Sequence, residues 1–139
     1  FNIKKKYPQS LKIEIFEKQP IAILFNKKKK FYLGEKSELI KFTKNPKFKD
    51  LPYVIGERKK FKILYETLNK LDFPLKSVTK YILYESNRWD VEIKNKQIIK
   101  LPVINYNESV KNYLSLANKN EFKKYKIFDF RINNQLILK

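Results

Sequence analysis

Three patterns in this sequence predict an α+β domain: a largely antiparallel, twisted β-sheet with two packed helices. The first is Arg88 to Pro102, RWDVEIKNKQIIKLP, which reads as a β-hairpin with one apolar face. Trp89, Val91 and Ile93 point one way and Asp90, Glu92 and Lys94 the other, because strand side chains alternate. The second is Glu57 to Leu71, where Phe61, Leu64, Tyr65, Leu68 and Leu71 recur at helical spacing. The third is Asn107, a candidate N-cap with Glu108 in the first turn, ahead of the stripe Val110, Tyr113, Leu114 and Ala117.

In chain order, Leu11–Ile15 alternates as a strand between Tyr7-Pro8 and Gln19-Pro20. Ile21 to Phe25 is a short apolar run suited to a buried strand. Asn26 to Lys30 forms a lysine-rich turn, read as a solvated hairpin tip, and Phe31–Leu33 returns. Lys44–Asp50 is a polar loop, and Leu51–Gly56 is an apolar segment between breakers. The helix that follows stops at Phe73-Pro74, since proline disfavours helical geometry in the residue before it. Ser77–Tyr84 is rich in strand formers. For the hairpin, a turn at Asn95–Lys96–Gln97 with three residues places Ile99, Leu101 and Val103 beside Trp89, Val91 and Ile93. A two-residue turn would set Lys100 against Val91. Lys126–Phe130 is a further strand, and Ile132–Lys139 ends the chain with a turn at Asn133–Asn134 and apolar Leu136–Leu138. The expected order is three strands, a helix, three strands, a helix and two strands.

Composition removes most chemistry. The 139 residues contain no Cys and no His, so thiolate catalysis, histidine bases and the commonest metal ligand are absent. Two glycines cannot build a phosphate loop. The 14 carboxylates lie scattered at polar positions among 32 basic residues, which reads as solvated or ion-paired surface, so no catalysis and no cofactor are expected. An apolar fraction of 42% with 15% aromatics is enough for a core despite a net charge of +18. The base is nearly all Lys, with Arg only at 58, 88 and 131, and so lacks the guanidinium forks of specific base recognition. The longest apolar run is far too short to cross a bilayer, and an opening at Phe1 suggests a piece of a longer protein.

Four blocks, in order, resemble the FtsQ/DivIB family of cell-division proteins. They are Tyr7-Pro8 through Ile15 with Glu17 to Ala22, Leu51-Pro52 to Gly56, Arg88-Trp89-Asp90 to Leu101-Pro102, and Ile127-Phe128-Asp129-Phe130-Arg131. The chain departs from the family pattern at Lys96, where the family hairpin has glycine, and at Phe130, where leucine is usual. The resemblance implies that residues 1–25 are the C-terminal remnant of a POTRA domain and 26–139 an FtsQ-type β domain. It implies a non-enzymatic scaffold on the periplasmic side of the inner membrane at the division septum, anchored by a single-pass segment outside this chain. The implied partners are the periplasmic segments of FtsB and FtsL, and the implied role is regulation of septal peptidoglycan synthesis.

In that family the partner adds a β-strand to the last strand of the β domain. Here Ile132, Asn133, Asn134, Gln135, Leu136, Ile137 and Leu138 carry no charge before Lys139, although a protected edge usually carries lysine. The alternative is a buried terminal strand. Arg131 matches the family arginine that faces the partner's acidic residues, against an internal ion pair with Asp129 or a neighbour. Arg88 stands where a basic family residue also lies near the partner. Two rival functions rest on the +18 charge: a basic nucleic-acid-binding module, or a domain held on anionic lipid.

Overall fold

The computed structural model describes residues 19–132 and 134–139, so the strand expected at Leu11–Ile15 lies outside the described residues. Among the described residues, nine strands form one sheet: β1 (Pro20–Asn26), β2 (Lys29–Gly34), β3 (Leu39–Lys41), β4 (Tyr53–Ile55), β5 (Val78–Leu83), β6 (Trp89–Ile93), β7 (Ile98–Lys100), β8 (Ile127–Asp129) and β9 (Ile137–Leu138). Helix α1 (Arg58–Lys70) joins β4 to β5, and α2 (Tyr106–Ala117) joins β7 to β8. The spatial order is β3-β2-β1-β4-β5-β6-β7-β8-β9.

The period-2 alternation decides which face is buried. Leu24, Val54, Tyr81, Val91, Ile99 and Phe128 stand in register across six adjacent strands, and all are buried. The apolar stripes of both helices join the same core: Phe61, Leu64 and Leu68 from α1, Val110 and Tyr113 from α2. The ring of Phe61 meets Tyr81 edge-on at 5.0 Å and Trp89 at 6.3 Å, and Tyr113 meets Phe128 at 5.0 Å. Each fully buried side chain of this size contributes roughly 1.5–3 kcal/mol, so the row and the two stripes hold the sheet and helices as one layer on another. Gly56 is required where β4 turns toward α1. Its φ is 151°, and a Cβ there would sit 2.6 Å from Cβ of Leu83.

The sheet is mixed. Five pairings are antiparallel, while β1–β4, β4–β5 and β7–β8 are parallel. Two of the parallel pairs flank a helix, because a helical crossover brings the chain back in the same direction. Strand β3 was not expected; three residues are too few to show an alternation. Leu51–Gly56 contributes β4, so four strands precede α1 among the described residues, where two of the three expected ones fall. Strand β1 runs across the boundary expected between residues 25 and 26 and is paired on both sides, with β2 and with β4.

The hairpin keeps its expected face but not its expected turn. Val91 lies opposite Ile99 and Glu92 opposite Ile98, and Ile93 N–H donates to the Gln97 carbonyl at 2.9 Å. The three loop residues are therefore Lys94, Asn95 and Lys96, one position earlier than expected. Lys96 adopts φ 69°, the conformation that glycine would take without strain. Ile99 and Leu101 are buried, but Val103 is 49% exposed because the strand has ended at Lys100. The N-cap of α2 is Asn105 rather than Asn107. Asn105 sits at φ 57°, a left-handed position that asparagine tolerates, and Asn107 lies inside the first turn.

Candidate partner-binding edge

The sheet has two free edges among the described residues, β3 and β9, and the C-terminal one carries most of the residues singled out in the sequence. Strand β8 ends at Asp129, and Phe130 N–H still donates to the Lys100 carbonyl at 2.8 Å. The chain then leaves the sheet. Gln135 N–H donates to the Ile132 carbonyl at 3.1 Å, and Asn134 takes φ 61°. This tight reversal suits asparagine and brings Ile137–Leu138 back antiparallel to β8, with Asp129 opposite Ile137 and Phe128 opposite Leu138. Asn133 lies outside the described residues.

Lys139 donates to and accepts from Ile127, both at 3.1 Å, and its carbonyl also takes the Lys126 N–H at 2.7 Å. Backbone groups alternate sides along an antiparallel strand, so Leu138 and, two residues earlier, Leu136 turn theirs away from β8. Among the described residues the edge is thus open to a further strand. Leu136 and Leu138 are half-buried against the core, while Ile132 and Ile137 are exposed. Beside the edge, an open groove of about 550 Å³ is walled by Ile104, Glu108, Ser109, Phe130, Ile132 and Leu136.

A buried polar group anchors this edge from behind. The Gln97 side chain accepts from the Tyr113 hydroxyl at 2.8 Å and donates to the Tyr125 carbonyl at 3.1 Å. It ties the hairpin, α2 and the lead-in to β8 at one point, with both ends of its amide satisfied. Burial pushes the Tyr113 phenol above its ordinary pKa. Sequence reasoning placed Gln97 in a turn and so missed it. The one available signal was an uncharged polar residue between charged loop positions and an apolar run.

The sheet face away from the helices carries a charge ladder. Asp90, Lys100 and Asp129 stand in register on β6, β7 and β8. Asp129 is 5% exposed, and it accepts the Arg131 backbone N–H at 3.0 Å, Nε at 2.9 Å and Nη2 at 2.6 Å. These bonds hold its carboxyl below the usual range, with Lys100 adding to the effect. The internal ion pair weighed for Arg131 is therefore present, yet its side chain stays 44% exposed. Arg88 is more enclosed. Its side chain is 14% exposed, Nη1 lies 2.5 Å from Asp90 Oδ1, and the guanidinium stacks 4.8 Å above the Tyr84 ring. The Tyr84 hydroxyl donates to the other Asp90 oxygen at 3.2 Å. The structure thus brings Arg131 and the 132–138 segment together at one edge, while Arg88 faces inward to Asp90 on β6, three strands in from β9.

Comparison with known proteins agrees with this architecture. Residues 22–131 match the family model described as cell division protein FtsQ/DivIB, C-terminal. The cell division protein FtsQ of Rickettsia bellii (strain RML369-C) is 30% identical over 137 residues, covering 96% of this chain and 51% of that protein. The protein of the same name from Rickettsia felis (strain ATCC VR-1525 / URRWXCal2) is 30% identical over 138 residues, with the same coverage. The chain thus spans about half the length of the curated relatives it matches. The solved extracytoplasmic domain of the trans isomer of DivIB from Geobacillus stearothermophilus superposes with a TM-score of 0.50 at 16% identity, covering 77% of this chain and 97% of that one, a likeness of fold. The chain belongs to the FtsQ/DivIB family of cell-division proteins.

Proposed function

We propose that this chain is the periplasmic part of a non-enzymatic divisome scaffold that captures FtsB, and FtsL with it, by strand addition along β9. The observation that carries this reading is the open C-terminal edge: Leu136 and Leu138 present backbone groups outward on a segment free of charge from Ile132 to Leu138. An incoming strand satisfies those groups, and Ile132 and Ile137 offer apolar contact beside them. Arg131 stands at the start of that segment with its Nη1 free of hydrogen bonds among the described residues, suited to a partner carboxylate. Arg88, closed onto Asp90 and Tyr84, serves in this reading as support for the ladder and as a secondary contact.

The scaffold reading extends to location. No helix of the described residues is long and apolar enough to cross a membrane. We place the anchor in a segment beyond this chain, the domain in the periplasm at the septum, and its role in the control of septal peptidoglycan synthesis. The residues ahead of β1 are assigned to the end of the preceding POTRA domain, and β1, paired with β2 and β4, is assigned to the β domain, which moves the expected boundary forward from residue 25. Calorimetric titration with the periplasmic segment of FtsB, at physiological and at high salt, tests the reading. Saturable binding that survives high salt is expected. Binding that vanishes with salt would leave only long-range attraction to a basic surface.

A further inference from the structure

The opposite end of the sheet holds a second surface, unrelated to the β9 edge. The β1–β2 hairpin turns at Lys27 and Lys28, and Lys27 to Lys30 are all exposed. Phe31 pairs with Lys41 across β2–β3, so Lys41 joins the same corner, where Lys28, Lys29, Lys30, Phe31, Lys41 and Phe42 line one shallow surface. The aromatic side chains continue from there. Phe42 packs on Tyr32 at 4.9 Å, Tyr32 on Phe48 at 5.5 Å, and the Lys47 ammonium lies 5.7 Å above the Phe48 ring. The Tyr32 hydroxyl fixes this strip by donating to the Thr43 carbonyl at 2.7 Å. No carboxylate occurs from Asn26 to Gly34 or from Leu39 to Lys49. None of these lysines forms an ion pair among the described residues, whereas Lys60 and Lys111 do.

We propose that this lysine and phenylalanine corner is a docking surface for anionic phospholipid headgroups. The chemistry fits a lipid surface better than a nucleic acid. The charge is carried by ammonium groups on long stems, which reach headgroup phosphates while their methylenes lie along apolar surface. Half-buried Phe42 and Phe48, packed on Tyr32, supply apolar edges beside them. The corner has no arginine fork for a base or a bidentate phosphate. A hairpin tip meets a plane, where a nucleic acid would call for a groove along its backbone.

Sedimentation of this chain with phosphatidylcholine vesicles, with and without 30 mol% phosphatidylglycerol (about a third anionic lipid, comparable to a charged leaflet), tests the proposal. Wild type is expected to partition onto the anionic vesicles only. A variant carrying Lys28→Glu, Lys29→Glu and Lys47→Glu is expected to lose at least about a hundredfold in partitioning, since each surface lysine contributes several-fold. The charge-matched control Lys62→Glu, Lys70→Glu and Lys123→Glu is expected to stay within about threefold of wild type, with circular dichroism confirming the fold of both. Equal losses in the two variants would mean that net charge alone drives binding, and overturn the site. So would absence of anionic-vesicle binding, or displacement of bound protein by duplex DNA at equal phosphate concentration.

Discussion

Among the described residues, the two free edges of the sheet are built on opposite plans. Strand β3 is three residues long, ends in Lys41 and is followed by Phe42, Thr43 and Lys44. It follows the usual rule that an edge strand is kept short and charged so that nothing pairs with it. Strand β9 is shorter still, but its approach from Ile132 carries no charge, and Ile137 stands exposed on it. Lys139 follows, and its backbone is spent on Ile127. In a chain where about one residue in five is lysine, omission of lysine from one edge is informative. The contrast teaches that the exposed edge to be explained is the one the composition fails to protect.

The largest expected effect comes from closing β9. Leu136→Pro removes an outward donor and is expected to weaken FtsB binding by at least about a hundredfold. Lys41→Pro in β3 is expected to leave the affinity unchanged. Calorimetry on both, with thermal unfolding to confirm the fold, checks the contrast. Equal losses, or none in Leu136→Pro, would move the site away from β9.

Next is the support behind each edge. Gln97→Ala strands the Tyr113 hydroxyl and the Tyr125 carbonyl in a buried place, at a cost of about 2–3 kcal/mol of stability. Tyr32→Phe removes a single bond to the Thr43 carbonyl at the β3 side, at about 1 kcal/mol. Urea unfolding ranks the two. The reverse ranking would show that β9 does not depend on the Gln97 junction.

Much of this contrast was legible before the structure. The parity of Trp89, Val91, Ile93, Ile99 and Leu101 needed only alternation, and α1 needed only its period. The uncharged tail was visible by eye. What the sequence hid was mostly short or nonlocal. Strand β3 is too brief for a pattern, and the parallel pairings depend on where each helix returns the chain. Lys96 takes a glycine conformation, so the turn lacked its usual marker and its position was read one residue late. The Arg131–Asp129 pair was foreseen as an alternative, but its enclosure was not, because burial of Asp129 depends on strands far apart in sequence.

Exchanging the edge chemistry gives a smaller effect. Ile137→Lys writes the β3 rule onto β9 and is expected to cost about tenfold in FtsB affinity while leaving the fold intact. Lys41→Ile does the opposite to β3 and is expected to increase self-association at high concentration, measured by sedimentation velocity. An Ile137→Lys variant that binds as wild type would show that the side-chain rule does not govern this edge.

The smallest effect is electrostatic and falls at the start of the β9 segment. Arg131 holds the Asp129 carboxyl below its usual range. The folded state therefore takes up a proton later than the unfolded chain as pH falls, and the pair's contribution is fully present above the unfolded carboxylate range, near pH 4. It is lost as pH falls through the depressed folded value. Asp129→Asn is thus expected to lower stability at pH 7 by about 1 kcal/mol, a modest figure because Arg131 is 44% exposed and solvent screens the pair. The deficit should shrink as wild type is titrated below about pH 4, so unfolding curves for both proteins from pH 7 to pH 2.5 provide the check. The same variant frees Arg131 for a partner carboxylate, whereas Arg131→Glu would set a second acid beside Asp129 and confuse stability with recognition. If Asp129→Asn binds FtsB as tightly as wild type or more so, and Asp129→Asn with Arg131→Glu binds more weakly, Arg131 recognises the partner. If the double variant binds as wild type, Arg131 serves only to satisfy the buried carboxylate.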